Sequence, residues 1–220
     1  MSMTANQTEY LSDLCDELAK RWPDNRTVNI VCHGHSVPSG YRCTPFVDQF
    51  NSYPFLLLKH IKERFPYAVV NVIVTAIGGE NSKQGAERFV DDVLCHKPDL
   101  ITIDYSLNDR QISLREAESA WRYMIETALE KKTKVILLTP SWEQSALAGN
   151  EDWALVAEHA EQVRRLSSEY QVGLADTFRE FERYVNSGGG IPDLLSHVNH
   201  PSNLGHQIIA QNLARWFLAR

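Results

Sequence analysis

No stretch of this sequence is apolar over the about 18 residues needed to cross a bilayer as a helix, so a membrane-spanning protein is not expected. No run of Lys or Arg occurs either. Acidic residues outnumber basic ones, 28 to 22, giving a formal net charge of −6. A chain without a basic patch has little to offer nucleic-acid phosphates or an anionic membrane surface. The four cysteines, Cys15, Cys32, Cys43 and Cys95, lack close pairing and lack metal-ligand spacing. They read as buried free thiols of a reducing compartment. The N-terminal stretch MSMTANQTEYLSDLCDELAKRW has no charged n-region, apolar h-region or small-residue cleavage site, so a cytoplasmic location is expected. Repeats, low-complexity tracts and interdomain linkers are also missing, and 220 residues suit one domain, 1–220.

What is present is a rhythm of short β-rich runs and longer helical ones. Thr27–Cys32, Val69–Thr75, Asp99–Asp104, Lys134–Thr139 and Val172–Ala175 are apolar and mostly β-branched, with little polar alternation. That pattern suits strands buried on both faces of a parallel sheet. Between them, Leu11, Leu18 and Trp22 share one helical face. Further helical spacing runs over Phe46–Phe65, Lys83–Leu94, Ser113–Glu130, Asp152–Tyr170 and Ser202–Leu218. Ser113-Leu114-Arg115-Glu116 is a capping-box pattern. Strand alternating with helix predicts right-handed crossovers and an α/β fold, a three-layer α/β/α sandwich on a flavodoxin-like five-stranded parallel sheet. Asn186–Pro192 reads as a flexible loop.

In such a sheet, functional groups gather at the carboxyl ends of the strands. Ser36 follows the first predicted strand, Gly78-Gly79 the second and Asn108 the third. His200 precedes Pro201 and the last helix. A Ser at a strand end can present a hydroxyl, and a Gly pair lets backbone N–H groups approach a ligand. An Asn amide can donate to a developing oxyanion, and a loop His can act as a base. Taken singly, each of these has a plainer reading as a turn or capping residue. Together they supply the parts of acyl transfer, in order, at one sheet edge.

This arrangement resembles the SGNH hydrolase superfamily of GDSL-like esterases and lipases. Its blocks map onto Ser36, Gly79, Asn108 and His200, and the surrounding residues are similar over roughly 27–218. Ser36-Val37-Pro38-Ser39-Gly40-Tyr41-Arg42 is similar to a first block, Ile77–Ser82 with Gly85 and Arg88 to a second, and His200-Pro201-x-Asn203 to the last. The resemblance implies a serine hydrolase of carboxylic esters needing no cofactor or metal. Ser36 would be the nucleophile and His200 the base. The oxyanion hole would comprise Ser36, Gly79 and Asn108, and the partner a small-molecule ester.

Three positions depart from the family pattern. His35 stands where Asp usually precedes the nucleophile, and Ser106 where Gly usually lies two before the Asn. His197 stands where the triad Asp is expected, three before the base. The orienter of His200 is therefore open between Asp193, Asp104 and a backbone carbonyl near His197, the last giving a Ser–His dyad. Two other functions compete: a metal-dependent hydrolase using His33, His35, His197 and His200, and a catalytically degenerate binding module on the same fold. Trp142 and Trp153 in the polar segment 141–153 suggest a sugar-bearing substrate, or else simple packing beneath the loop. A short acyl group on a polar or sugar alcohol is the expected ester.

Overall fold

The structure, a computed structural model, describes residues 4–217. Its centre is a five-stranded sheet of β1 (Thr27–Gly34), β2 (Val69–Val74), β3 (Leu100–Asp104), β4 (Lys134–Leu138) and β5 (Gly173–Ala175). The order is β2-β1-β3-β4-β5 with every pairing parallel. This is the expected flavodoxin-like α/β arrangement, with strand limits within two residues of those expected. Parallel neighbours require crossovers, and the helices supply them on both faces.

Alternate residues of the central strands face opposite layers, as the pleat demands. Val28, Ile30, Cys32, Leu100, Ile136 and Leu138 join one core, which packs α1 (Ser12–Ala19), α3 (Tyr53–Arg64), α9 (Thr177–Asn186) and α11 (Asn203–Ala214). Val31, Ile101, Ile103, Val135 and Leu137 join the other. It packs α4 (Ser82–Glu87), α5 (Phe89–Asp92), α6 (Leu114–Glu130) and the later turns of α8 (Glu151–Tyr170). Trp121 of α6 is fully buried there. Burial of each such large side chain stabilises the fold by about 1.5–3 kcal/mol.

The structure corrects several local expectations. β2 is not buried on both faces: as an edge strand it leaves Val69 50% exposed. Trp22 does not share the buried face of α1; it lies beyond the helix, 86% exposed. The segment Lys83–Leu94 forms two short helices meeting at Arg88. Phe46–Phe65 is helical only from Tyr53, after an irregular segment carrying a 3-10 turn. Asn186–Pro192 is not all loop, because α10 (Ile191–Leu194) starts within it. The last helix ends at Ala214, and the expected Leu218 boundary lies outside the described residues. Cys15 and Cys32 are buried, whereas Cys43 and Cys95 are exposed, contrary to the expectation for all four. The Ser113–Glu116 capping box forms as expected at the start of α6.

Among the described residues no helix is long and apolar enough to cross a membrane.

Candidate active site

β1 ends at Gly34, and the chain turns at once into the short helix α2 (Ser36–Ser39). Gly34 is required here by close approach, since a Cβ would lie 2.4 Å from the Asp104 carbonyl oxygen. His35 caps α2: its Nδ1 accepts the Val37 N–H at 3.2 Å. Ser36 is thereby held at the first turn, 6% exposed, directly beyond the sheet edge. Its N–H has no hydrogen-bond acceptor among the described residues.

The imidazole facing Ser36 comes from the far end of the chain. His200 Nε2 lies 3.0 Å from Ser36 Oγ, and His200 Nδ1 lies 2.7 Å from the Arg42 carbonyl oxygen. A carbonyl can only accept, so Nδ1 carries the proton and Nε2 presents its lone pair to the serine hydroxyl. That is the tautomer a general base needs. Burial lowers the His200 pKa from the ordinary value of 6.5. The imidazoles of His35 and His197 push the same way, and the hydrogen bond to Arg42 opposes them. His200 is therefore neutral at neutral pH. The loop carrying it is pinned by Ser196 N–H to the His200 carbonyl at 2.9 Å and by Gln144 N–H to the Val198 carbonyl at 2.8 Å.

The turn after β2 closes the opposite side. The Ile77 N–H donates to the Gly34 carbonyl at 3.1 Å, and the Ser39 hydroxyl donates to Ala76 at 2.9 Å. Gly79 sits at φ +85°, a left-handed conformation suited to glycine, and its N–H has no acceptor among the described residues. After β3, Asn108 is 4% exposed and donates one Nδ2 hydrogen to the Glu80 carbonyl at 2.9 Å. The second amide hydrogen stays available. Asp109 fixes this corner: its carboxylate accepts the Ser82 N–H and the Trp121 indole N–H, each at 2.7 Å. Burial raises the Asp109 pKa to about 6 against those stabilising bonds.

A hydroxyl at a strand end, an imidazole with its Nε2 lone pair toward that hydroxyl and polar N–H groups without acceptors among the described residues invite comparison with known proteins. The GDSL-like Lipase/Acylhydrolase family matches residues 32–208, most of the chain. The chain belongs to that family. The GDSL-like hydrolase is accordingly a carboxylic ester hydrolase by family. Its backbone is similar to that of an alpha/beta hydrolase enzyme from the metagenome of Lake Arreo, Spain: TM-score 0.77, 21% identity, covering 87% of this chain and 95% of the other. It is similar as well to an acetylxylan esterase from Geobacillus stearothermophilus, with TM-score 0.75, 20% identity and coverage of 86% and 94%. At these identities the likeness concerns the fold. No curated protein sequence matches.

The remaining sequence candidates of this GDSL-like hydrolase sit elsewhere. Asp193 is exposed, and its Oδ2 accepts the Gly190 N–H at 2.9 Å and the Tyr184 hydroxyl at 3.0 Å, so it caps α10 instead of reaching His200. Asp104 faces His35, with Oδ1 3.5 Å from Nε2. His197 is exposed. The His33 ring is turned away behind the site, between Thr75 Oγ1 at 2.9 Å and the Gly85 carbonyl at 3.1 Å, with a pKa pushed down to about 4 by burial. The four histidines thus do not converge on one point. Among the described residues no group of three or more His, Cys, Asp or Glu is placed to hold an ion. Trp142 is 8% exposed and packs edge-on against Trp153 and Phe178, while Trp153 stacks on Phe178 at 5.0 Å. The two indoles pack on side chains, not on an open face.

Sequence reasoning missed three contributors. The orienting carbonyl belongs to Arg42, in the segment after the nucleophile, not to the His197 region; a backbone contact has no residue-type signature. The Glu80 carbonyl that orients Asn108 is equally silent in sequence. Tyr41 stood inside the first block, but nothing in the sequence pointed to a role for its ring. Its ring lies 5.8 Å from that of His200, and it touches Gly78 so closely that a Cβ there would come within 3.2 Å.

Proposed function

We propose that the protein hydrolyses carboxylic esters of short acyl groups on a polar or sugar alcohol, through an acyl-enzyme on Ser36. Ser36 Oγ attacks the ester carbonyl as His200 Nε2 takes its proton. The resulting oxyanion is held by the N–H groups of Ser36 and Gly79 and by the free amide hydrogen of Asn108. His200 returns the proton to the departing alcohol, then activates water to release the acid. The carbonyl of Arg42 holds the imidazole in the needed tautomer. It does this without the negative charge with which a triad Asp stabilises the imidazolium. The catalytic unit is therefore a Ser–His dyad.

The observation that carries this reading is the 3.0 Å contact between Ser36 Oγ and His200 Nε2, with Nδ1 anchored at 2.7 Å. The short acyl preference is supported by the Tyr41 ring, which walls the space between base and Gly78. The polar or sugar alcohol is supported by the fold shared with an acetylxylan esterase. A p-nitrophenyl ester chain-length series run beside acetylated sugars, with fluorophosphonate labelling of Ser36, tests it. Labelling of Ser36 and highest kcat/KM on acetyl esters are expected. An unlabelled Ser36 in folded protein would overturn the nucleophile, and a long-chain optimum would overturn the acyl preference.

A further inference from the structure

Arg42 grips the catalytic loop twice. Its backbone carbonyl accepts the His200 Nδ1–H. Its guanidinium donates to the Pro201 carbonyl at 2.9 Å, one residue beyond that imidazole in sequence, and to Asn203 Oδ1 at 2.6 Å. A third bond goes to the Asn51 carbonyl at 3.0 Å, on the segment leading to α3, and Asp48 Oδ2 lies 3.9 Å away. The side chain is 5% exposed. A buried guanidinium whose fork is shared between backbone carbonyls and one side-chain amide is a rigid bracket. It ties two segments 159 residues apart, and fixes the residue that directly follows His200.

We propose that Arg42 is a positioning residue for His200, supplying with one residue the orientation that a triad carboxylate gives elsewhere in the family, and that Asn203 is its side-chain partner. The inference rests on the dyad reading above. The physical reason is geometric. The Arg42 carbonyl is a useful anchor only if it stays in register with the imidazole, and its own side chain locks that register by tying position 42 to positions 201 and 203. Without the tie, the loop and the carbonyl move independently, the Nδ1–H loses its acceptor and the ring samples both tautomers. Misplacement of a catalytic group by about 1 Å costs up to about 10²-fold in rate. The pairing also accounts for two residues of the sequence blocks at opposite ends of the chain: Arg42 closes the first block, and Asn203 closes the last.

The test uses Arg42→Met, Arg42→Lys, Asn203→Ala and the Arg42→Met/Asn203→Ala double variant, assayed with p-nitrophenyl acetate. Arg42→Met is expected to lower kcat by about 10²-fold with KM changed much less. Asn203→Ala is expected to lower kcat by about tenfold, the loss of one charge-assisted hydrogen bond. The double variant should fall no further than Arg42→Met, because the two act as one unit. Arg42→Lys, a point charge without the fork, should recover only part of the loss. NMR of isotope-labelled histidine should show a single Nδ1–H tautomer for His200 in the wild type and a mixture in the Arg42 and Asn203 variants. Should Arg42→Met fail to fold, Asn203→Ala reads the same coupling with the Pro201 bond intact. Unchanged kcat and an unchanged His200 tautomer in Asn203→Ala and Arg42→Lys, beside an inactive His200→Ala, would overturn this inference alone. An active His200→Ala would overturn the dyad reading on which it stands.

Discussion

His200 and Arg42 meet through a ring nitrogen and a main-chain carbonyl, 2.7 Å apart across 158 residues of sequence. That contact settles the protonation of the imidazole while leaving Ser36 to face the basic nitrogen. It also separates two services that a triad Asp performs together. In the proposed dyad, orientation is retained, and charge compensation of the imidazolium is not.

The carboxylate nearest in sequence to the triad position is the first point to check. Asp193 turns its Oδ2 to the Gly190 N–H and the Tyr184 hydroxyl. Asp193→Asn should therefore lower kcat less than tenfold, through loss of a cap on α10. Steady-state kinetics on an acetyl ester check this; a loss of about 10⁴, typical of removing a triad Asp, would reinstate Asp193 as the orienter.

Asn108 is held by the Glu80 carbonyl with one amide hydrogen to spare. Asn108→Ala should reduce kcat by about 10²–10³, as for removal of one oxyanion donor, with little effect on KM. A KM effect alone would mean that Asn108 binds the ground state and has no preference for the tetrahedral intermediate.

Activity should fall on the acid side with the titration of His200. Burial places its pKa below the ordinary 6.5, so the acid limb of kcat/KM is expected to have its midpoint below pH 6.5. A midpoint above that value, in a pH-rate profile on an uncharged ester, would contradict the buried, neutral base.

Stability should follow a related pattern. The His33 pKa is pushed down to about 4, that of His206 lies well below 6.5, and that of His159 is lowered, each chiefly by burial. The unfolded chain binds protons at these sites below pH 6.5 while the native state refuses them. Their contribution is thus present above pH 6.5 and is lost as pH falls toward 4, with His33 alone accounting for on the order of 3 kcal/mol. Asp109 acts oppositely. Its carboxyl, raised to about 6, takes a proton in the native state before the unfolded chain does, which favours folding on acidification. With His200, lowered in the same way, four histidines stand against the one raised carboxyl and predict net destabilisation between pH 6.5 and 4, readable by urea melts across that range.

Asp109→Asn should destabilise the fold by about 1–3 kcal/mol. The side-chain oxygen of Asn can serve the Trp121 indole or the Ser82 N–H, but its NH₂ group then faces the other donor. Denaturant titration measures the cost.

The strands were legible because β1, β3 and β4 are buried on both faces and carry no polar alternation to confuse the pattern. Ser36, Gly79 and Asn108 were legible as neighbours because a parallel sheet sends its strand ends to one edge; His200 follows no strand and was legible only from its block before Pro201 and the last helix. Other features were not legible. α9 carries Arg179, Glu180, Glu182 and Arg183 around a single fully buried Phe181, so its apolar signal is thin. At the break, Arg88 pairs with Glu80 at 2.6 Å, a contact no periodicity announces. Trp22 fitted a helical face, but the helix had already ended at Ala19. The orienter of His200 escaped because its chemistry belongs to the backbone of Arg42, and residue types reveal only side chains.

The central claim is that Ser36 carries the acyl group during turnover, and acid-quenched mass spectrometry of the protein mixed with p-nitrophenyl acetate tests it most directly. One added acetyl on the peptide containing Ser36, absent in Ser36→Ala and in His200→Ala, is the result expected. Sustained hydrolysis by Ser36→Ala at the wild-type rate, with no acetyl on Ser36 in the wild type, would contradict it.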